Sequence, residues 1–232
     1  MWANDYEFVK LNYNIFIMEH VNFRPWVGQN YFTNGYQGKK ILVLGESHYC
    51  TELCQKGKCF PICKKENMKE YCFSQTEDVI HDFVYHYNGE KYEQTFLCFE
   101  RAFLGNEATQ QERENFWQGI IFYNYLQFDQ EGPRMPIKPE YWKESEWAFK
   151  ELLEMYLPDY IIVWGVRLYN GLPDWEGKHS LLQISENDFT DVWTYSIKGK
   201  SIPAIKVYHP STPIGKSWSY WHDVYNKFFE EF

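Results

Sequence analysis

The sequence has no uninterrupted apolar run of about 18 residues, the length that a helix needs to cross a membrane. A membrane span is therefore not expected. The opening residues, Met1-Trp2-Ala3-Asn4-Asp5, have neither the basic start nor the apolar stretch of a secretory signal, so an intracellular, cytoplasmic chain is expected. Internal repeats, low-complexity tracts and Pro/Ser-rich linkers are also missing, and the expectation is one domain spanning 1–232 with a Cys-rich insertion at about 50–72; a monomer is the working expectation, the sequence leaving the oligomeric state open. A basic excess is absent too. With 23 Lys+Arg against 32 Asp+Glu the net charge is −9, which argues against a protein that coats nucleic acid blindly. Aromatic residues are what the chain has in plenty: 10 Trp, 19 Tyr and 18 Phe make up 20% of it, more than an ordinary core asks for.

The acidic balance leaves room for a local basic face. Between Val192 and His222 there are four lysines (Lys198, Lys200, Lys206, Lys216) and no Asp or Glu, and Cys50 to Cys72 holds five lysines against three glutamates. Brought together, these stretches would make a phosphate-tolerant surface. The cysteines also cluster. Cys50, Cys54, Cys59, Cys63 and Cys72 fall within 23 residues, spaced C-x3-C-x4-C-x3-C-x8-C, while Cys98 stands apart. Any four of the five could surround one soft cation, with zinc the expected metal and an iron–sulfur cluster the lesser candidate. No C-x2-C knuckle is present, and reduced or partly disulfide-bonded cysteines remain the alternative.

The periodicity alternates between short apolar runs and helical patterns. Lys40 to Leu44, Ile120 to Phe128, Tyr160 to Trp164 and Ile205 to Tyr208 read as strands. Helices are expected from about Thr76 to Gly89, around Gln94 to Phe103 and Gln110 to Gln118, from Glu144 to Leu157 with Trp147 on its apolar face, and from about Ser217 onward. Buried strands alternating with helices imply an α/β layer structure with a mainly parallel sheet. Sites in such sheets gather at the carboxyl ends of the strands. That rule selects Gly45-Glu46-Ser47-His48-Tyr49, the Asn124 region and His209-Pro210-Ser211-Thr212.

Taken together, these segments resemble the uracil-DNA glycosylase superfamily over about 40–217. The family's first motif, G-Q-D-P-Y-H or G-E-x-P-G, is matched by Gly45-Glu46-Ser47-His48-Tyr49-Cys50, and its H-P-S motif by His209-Pro210-Ser211. A strand-end Asn, a strand closing on Trp-Gly and a Phe-Ser pair correspond to Asn124, Trp164-Gly165 and Phe73-Ser74. The resemblance implies a three-layer sandwich around a central, mainly parallel four-stranded sheet. It also implies an enzyme, with no cofactor needed for chemistry, that flips a uracil or modified pyrimidine out of DNA and hydrolyses its N-glycosidic bond, as in base-excision repair or defence against modified foreign DNA.

The roles implied follow from that chemistry. Cleavage puts negative charge on the departing base, and His209 would donate to its oxygen. Asn124, able both to donate and to accept, would read the edge of the flipped base. Phe73 would stack on the base, while Gly45, His48 and Tyr49 would line its pocket, Tyr49 on the C5 side. Ser211 and Thr212, near the start of the last helix, would hold phosphate, with Lys216 beside them and Ile214 as an apolar wedge. The alternatives are ordinary ones: a capping histidine, a turn-tying asparagine, core rings. The chain departs from the family at Ser47, where the most active members carry Asp. Serine cannot serve as a carboxylate base, which leaves Glu46 as the nearest carboxylate and keeps a catalytically weak or inactive binding module open as the second reading.

Overall fold

The computed structural model describes residues 18–49, 70–130, 132, 135–212 and 216–232. Nine strands occur there. Seven form one mixed sheet, whose inner strands are β2 (Ile41–Gly45), β4 (Ile120–Asn124), β6 (Tyr160–Trp164) and β9 (Lys200–Val207). These four pair in parallel, side by side in the order β4-β2-β6-β9. The short β1 (Trp26–Val27) adds antiparallel to β4, and an antiparallel meander of β8 (Asp188–Ile197) and β7 (Gly177–Ser185) extends the other side. The expected four-stranded sheet is thus corrected to seven. The parallel strands were legible because they are buried on both faces and read as continuous apolar runs. The meander instead alternates exposed and buried positions, and it turns at Lys198 and Gly199, both at positive φ (48° and 78°), as a two-residue hairpin turn requires.

Helices cover both faces. On one lie α2 (Gln75–His86), α3 (Glu93–Leu104), α4 (Gln110–Trp117) and α7 (Trp218–Glu231), packed on Ile41, Val43, Ile120, Phe122, Ile162 and Trp164. The other face carries α5 (Pro139–Tyr156) and α6 (Val166–Gly171), packed on Leu42, Leu44, Ile121, Tyr123, Ile161 and Val163. The aromatic surplus goes largely into the first of these cores. Phe83, Phe96, Phe99, Phe103, Phe116, Trp117 and Trp164 are all buried there, and many of them meet edge to face. Glu100, fully buried on α3, is held by Arg113 of α4 at 3.1 Å and by the Trp117 indole N–H at 3.0 Å.

Helix boundaries largely follow the periodicity, with two differences. α5 starts at Pro139, in advance of Glu144, because proline is well suited to a first turn. Trp147 points outward, 57% exposed, and Phe149, Leu152 and Leu153 form the buried stripe instead. A four-residue α1 (Glu70–Phe73) precedes α2, and β3 (His48–Tyr49) pairs in parallel with β5 (Asp129–Gln130) beyond the ends of β2 and β4. Among the described residues no helix is long and apolar enough to cross a membrane.

Candidate functional site

Because the four inner strands run in one direction, their carboxyl ends share one edge of the sheet. Gly45 and Asn124 are register partners there. Alternation along β4 puts Asn124 on the same face as Ile120 and Phe122. A Cβ on Gly45 would stand 2.3 Å from Asn124 Oδ1 and 3.0 Å from Phe122 Cζ, so the Asn124 amide lies across the bare backbone of that glycine. The side chain is half-buried and makes no hydrogen bond among the described residues, while its backbone carbonyl accepts one from Gln127 Nε2 at 3.1 Å. The half-buried amide can donate and accept toward solvent or a ligand.

β6 closes on Trp164 and then Gly165, whose φ of 107° is open to glycine alone and whose Cβ position would lie 3.8 Å from the His209 Cβ. The His209 ring meets Trp164 at 6.2 Å, and Trp164 in turn meets Phe122 at 5.1 Å. The Ser211 hydroxyl lies 2.8 Å from His209 Nδ1, and the Ser211 N–H donates to the same nitrogen at 3.3 Å. Asn124 and His209 are therefore joined by an aromatic floor, Phe122–Trp164, on one face. Three strand spacings separate their backbones, about 14 Å. The Trp164 indole N–H on this floor is buried with no acceptor among the described residues.

Glu46 follows Gly45 and is engaged at both carboxylate oxygens by Arg167, through Nε at 2.8 Å and through a close Nη2 contact. Arg167 Nη1 donates to the Met135 carbonyl at 3.0 Å, so this one guanidinium ties together the loops after β2, β5 and β6. The bond to Glu46 pushes the guanidinium pKa further up. Arg167 was missed in the sequence, since α6 is too short to show periodicity. Ser47 is half-buried, and its hydroxyl makes no hydrogen bond among the described residues.

His48 departs from its expected role as a pocket residue. It is 4% exposed, stacks on Phe23 at 4.0 Å and shares a 2.6 Å hydrogen bond between Nε2 and Thr76 Oγ1, while Nδ1 is buried with no partner among the described residues. Burial pushes its pKa down to about 3, opposed only in part by the nearby backbone of Leu126. Tyr49 is 45% exposed, and Phe73 is half-buried against Phe23 and Cys72.

The expected phosphate grip is altered. α7 begins at Trp218 with Ser217 as its cap, Oγ accepting from Tyr220 N at 3.1 Å, so Ser211 and Thr212 sit in a turn well ahead of the helix rather than at its start. That turn is closed by Thr212 N–H donating to His209 O at 2.8 Å. Lys216 is paired with Asp188 at 2.5 Å and lies over the Tyr220 ring. Three lysines of the 192–222 stretch are paired with carboxylates, Lys198 with Glu154, Lys200 with Asp159 and Lys206 with Asp191, while the lysines between Cys50 and Cys72 lie outside the described residues. Glu154 and Asp159 come from an earlier part of the chain and Asp191 falls just before Val192, so a count of charges within 192–222 leaves all three out. Ile214 lies outside the described residues, as do Cys50, Cys54, Cys59 and Cys63. Cys72 is buried on α1 and Cys98 is exposed on α3.

Two cavities among the described residues lie elsewhere. One, of about 310 Å³, is lined by Tyr36, Lys39, Phe103, His222 and Phe229 near the amino ends of the strands, and another, of about 550 Å³, by Asp188, Lys216 and Lys227. Asn124 and His209, by contrast, share the carboxyl edge of the parallel strands. No protein-family model matches the chain, and no curated protein matches it.

Proposed function

We propose that the chain is a DNA glycosylase of the uracil-DNA glycosylase kind, which extrudes a uracil or modified pyrimidine and hydrolyses its bond to deoxyribose. The observation that carries this reading is the pairing of Gly45 with Asn124 at the ends of adjacent strands, on the same strand edge as His209 and linked to it through Phe122 and Trp164. Asn124 reads the edge of the base, and His209 donates from Nε2 to the oxygen on which charge develops. Phe73 and Tyr49 supply ring surfaces beside the base, and Ser211 and Thr212 meet the backbone. Glu46, with both oxygens held by Arg167, balances charge on the sugar instead of accepting a proton.

That same engagement of Glu46, with Ser47 beside it, favours a second reading, a module that binds a modified base without cutting. One assay separates the two. Duplexes and single strands carrying candidate bases are incubated with the protein, and abasic sites are cleaved with alkali. Scission above background for at least one base is expected, and Asn124→Ala and His209→Ala should each lower its rate roughly 30- to 1,000-fold. Salt-dependent binding with no scission supports the module; neither binding nor scission rejects both readings.

A further inference from the structure

α2 has three potential metal ligands on its solvent side. His81, Asp82 and His86 are all exposed, and each offers a ligand atom within 4.8 Å of the others. The imidazole centroids of His81 and His86 are 5.4 Å apart, and His81 Nδ1 lies 3.9 Å from Asp82 Oδ1. A zinc–nitrogen bond of about 2.0–2.1 Å puts a ring centroid about 3.2 Å from the metal, so two imidazoles at a tetrahedral angle on one ion have centroids about 5.2 Å apart. The observed spacing is close to that imposed by a shared ion. Ligand atoms on such an ion sit about 3.4 Å apart, which exposed side chains can reach by small rotamer changes. His86 is also the last residue of α2, where unpaired carbonyls and the helix dipole favour a cation.

We propose that His81, Asp82 and His86 form a surface site for a borderline divalent cation, zinc foremost. Two neutral imidazoles and one carboxylate suit that class of ion and leave at least one coordination position open to solvent. The site is separate from the strand-end residues: α2 starts at Gln75, which donates to the Tyr49 carbonyl, and reaches His86 about 17 Å further on. Its ligands, imidazole and carboxylate, differ in chemistry from the thiolates of the clustered cysteines, and the test exploits that difference. Reduced, chelator-stripped full-length protein is titrated with Co²⁺ and then with Zn²⁺. Thiolate ligands give intense charge-transfer absorption with cobalt, whereas imidazole and carboxylate give only weak visible bands. The wild type should bind one ion per chain more than His81→Ala/His86→Ala, with identical thiolate absorption in the two proteins, and Asp82→Asn should weaken that ion's binding at least tenfold. Equal stoichiometry and affinity in all three proteins would overturn the proposal. Should the double variant fail to fold, side-chain NMR of the wild type decides: joint shifts of the His81 and His86 resonances at one equivalent are required, and their absence rejects the site.

Discussion

His48 shows what a single residue can and cannot disclose. Its place after a buried strand was legible, but its burial was not, because the rings and hydroxyl that enclose it come from Phe23 and Thr76, some 25 residues away on either side. The consequence is measurable. Held at about 3 in the folded protein against about 6.5 in the unfolded chain, the imidazole binds more protons when unfolded at every pH between those values. Stability therefore rises with pH across that window: the contribution is complete above 6.5 and is lost as pH falls toward 3. The full span is worth on the order of 5 kcal/mol, of which roughly 2–3 kcal/mol is gone by pH 4.5. Urea denaturation of His48→Gln, which keeps a polar group for Thr76 but does not titrate, should lose that much less between pH 7 and pH 4.5 than the wild type does. Identical pH dependence in the two proteins would show that the ring is not buried in neutral form.

Among the elements, the parallel strands and five of the helices were readable from apolar runs and 3.6-residue spacing, whereas β7, β8 and α6 were not. The meander has one wet face, and α6 is too short to express a period. Register lies beyond any single strand, yet the functional reading depends on it. Gly45 meets Asn124 only because β2 and β4 align from Ile41–Ile120 to their last residues. Gly45→Ala tests that alignment. The added methyl would fall 2.3 Å from Asn124 Oδ1, the tip of a side chain able to swing away, and 3.0 Å from one edge of Phe122. The fold should therefore survive, with a loss of no more than about 2 kcal/mol by thermal or urea denaturation. Base release or base-specific binding should fall as far as in Asn124→Ala, and the two changes combined should do little more than either alone. Additive losses would place the amide elsewhere.

At the scale of the whole molecule, the common direction of four strands creates two poles, and charge has to be judged by pole rather than by position in the sequence. Asn124 and His209 lie at the carboxyl pole. Lys198 and Lys200, which counted toward a basic face in the sequence, sit at the turn into β9, at the other pole, bound to Glu154 and Asp159. The eight residues of β9 span roughly 25 Å, about three Debye lengths at physiological salt. Reversing both charges should thus leave a strand-end ligand almost unaffected. In Lys198→Glu/Lys200→Glu, the affinity for base-modified DNA by fluorescence anisotropy at 0.15 M salt should stay within about twofold of the wild type, with an unchanged slope of log affinity against log salt. The broken surface pairs should cost about 1 kcal/mol or less each in stability. A tenfold loss of affinity together with a shallower salt slope would mean that DNA runs along the amino pole, where Asn124 and His209 cannot reach a flipped base.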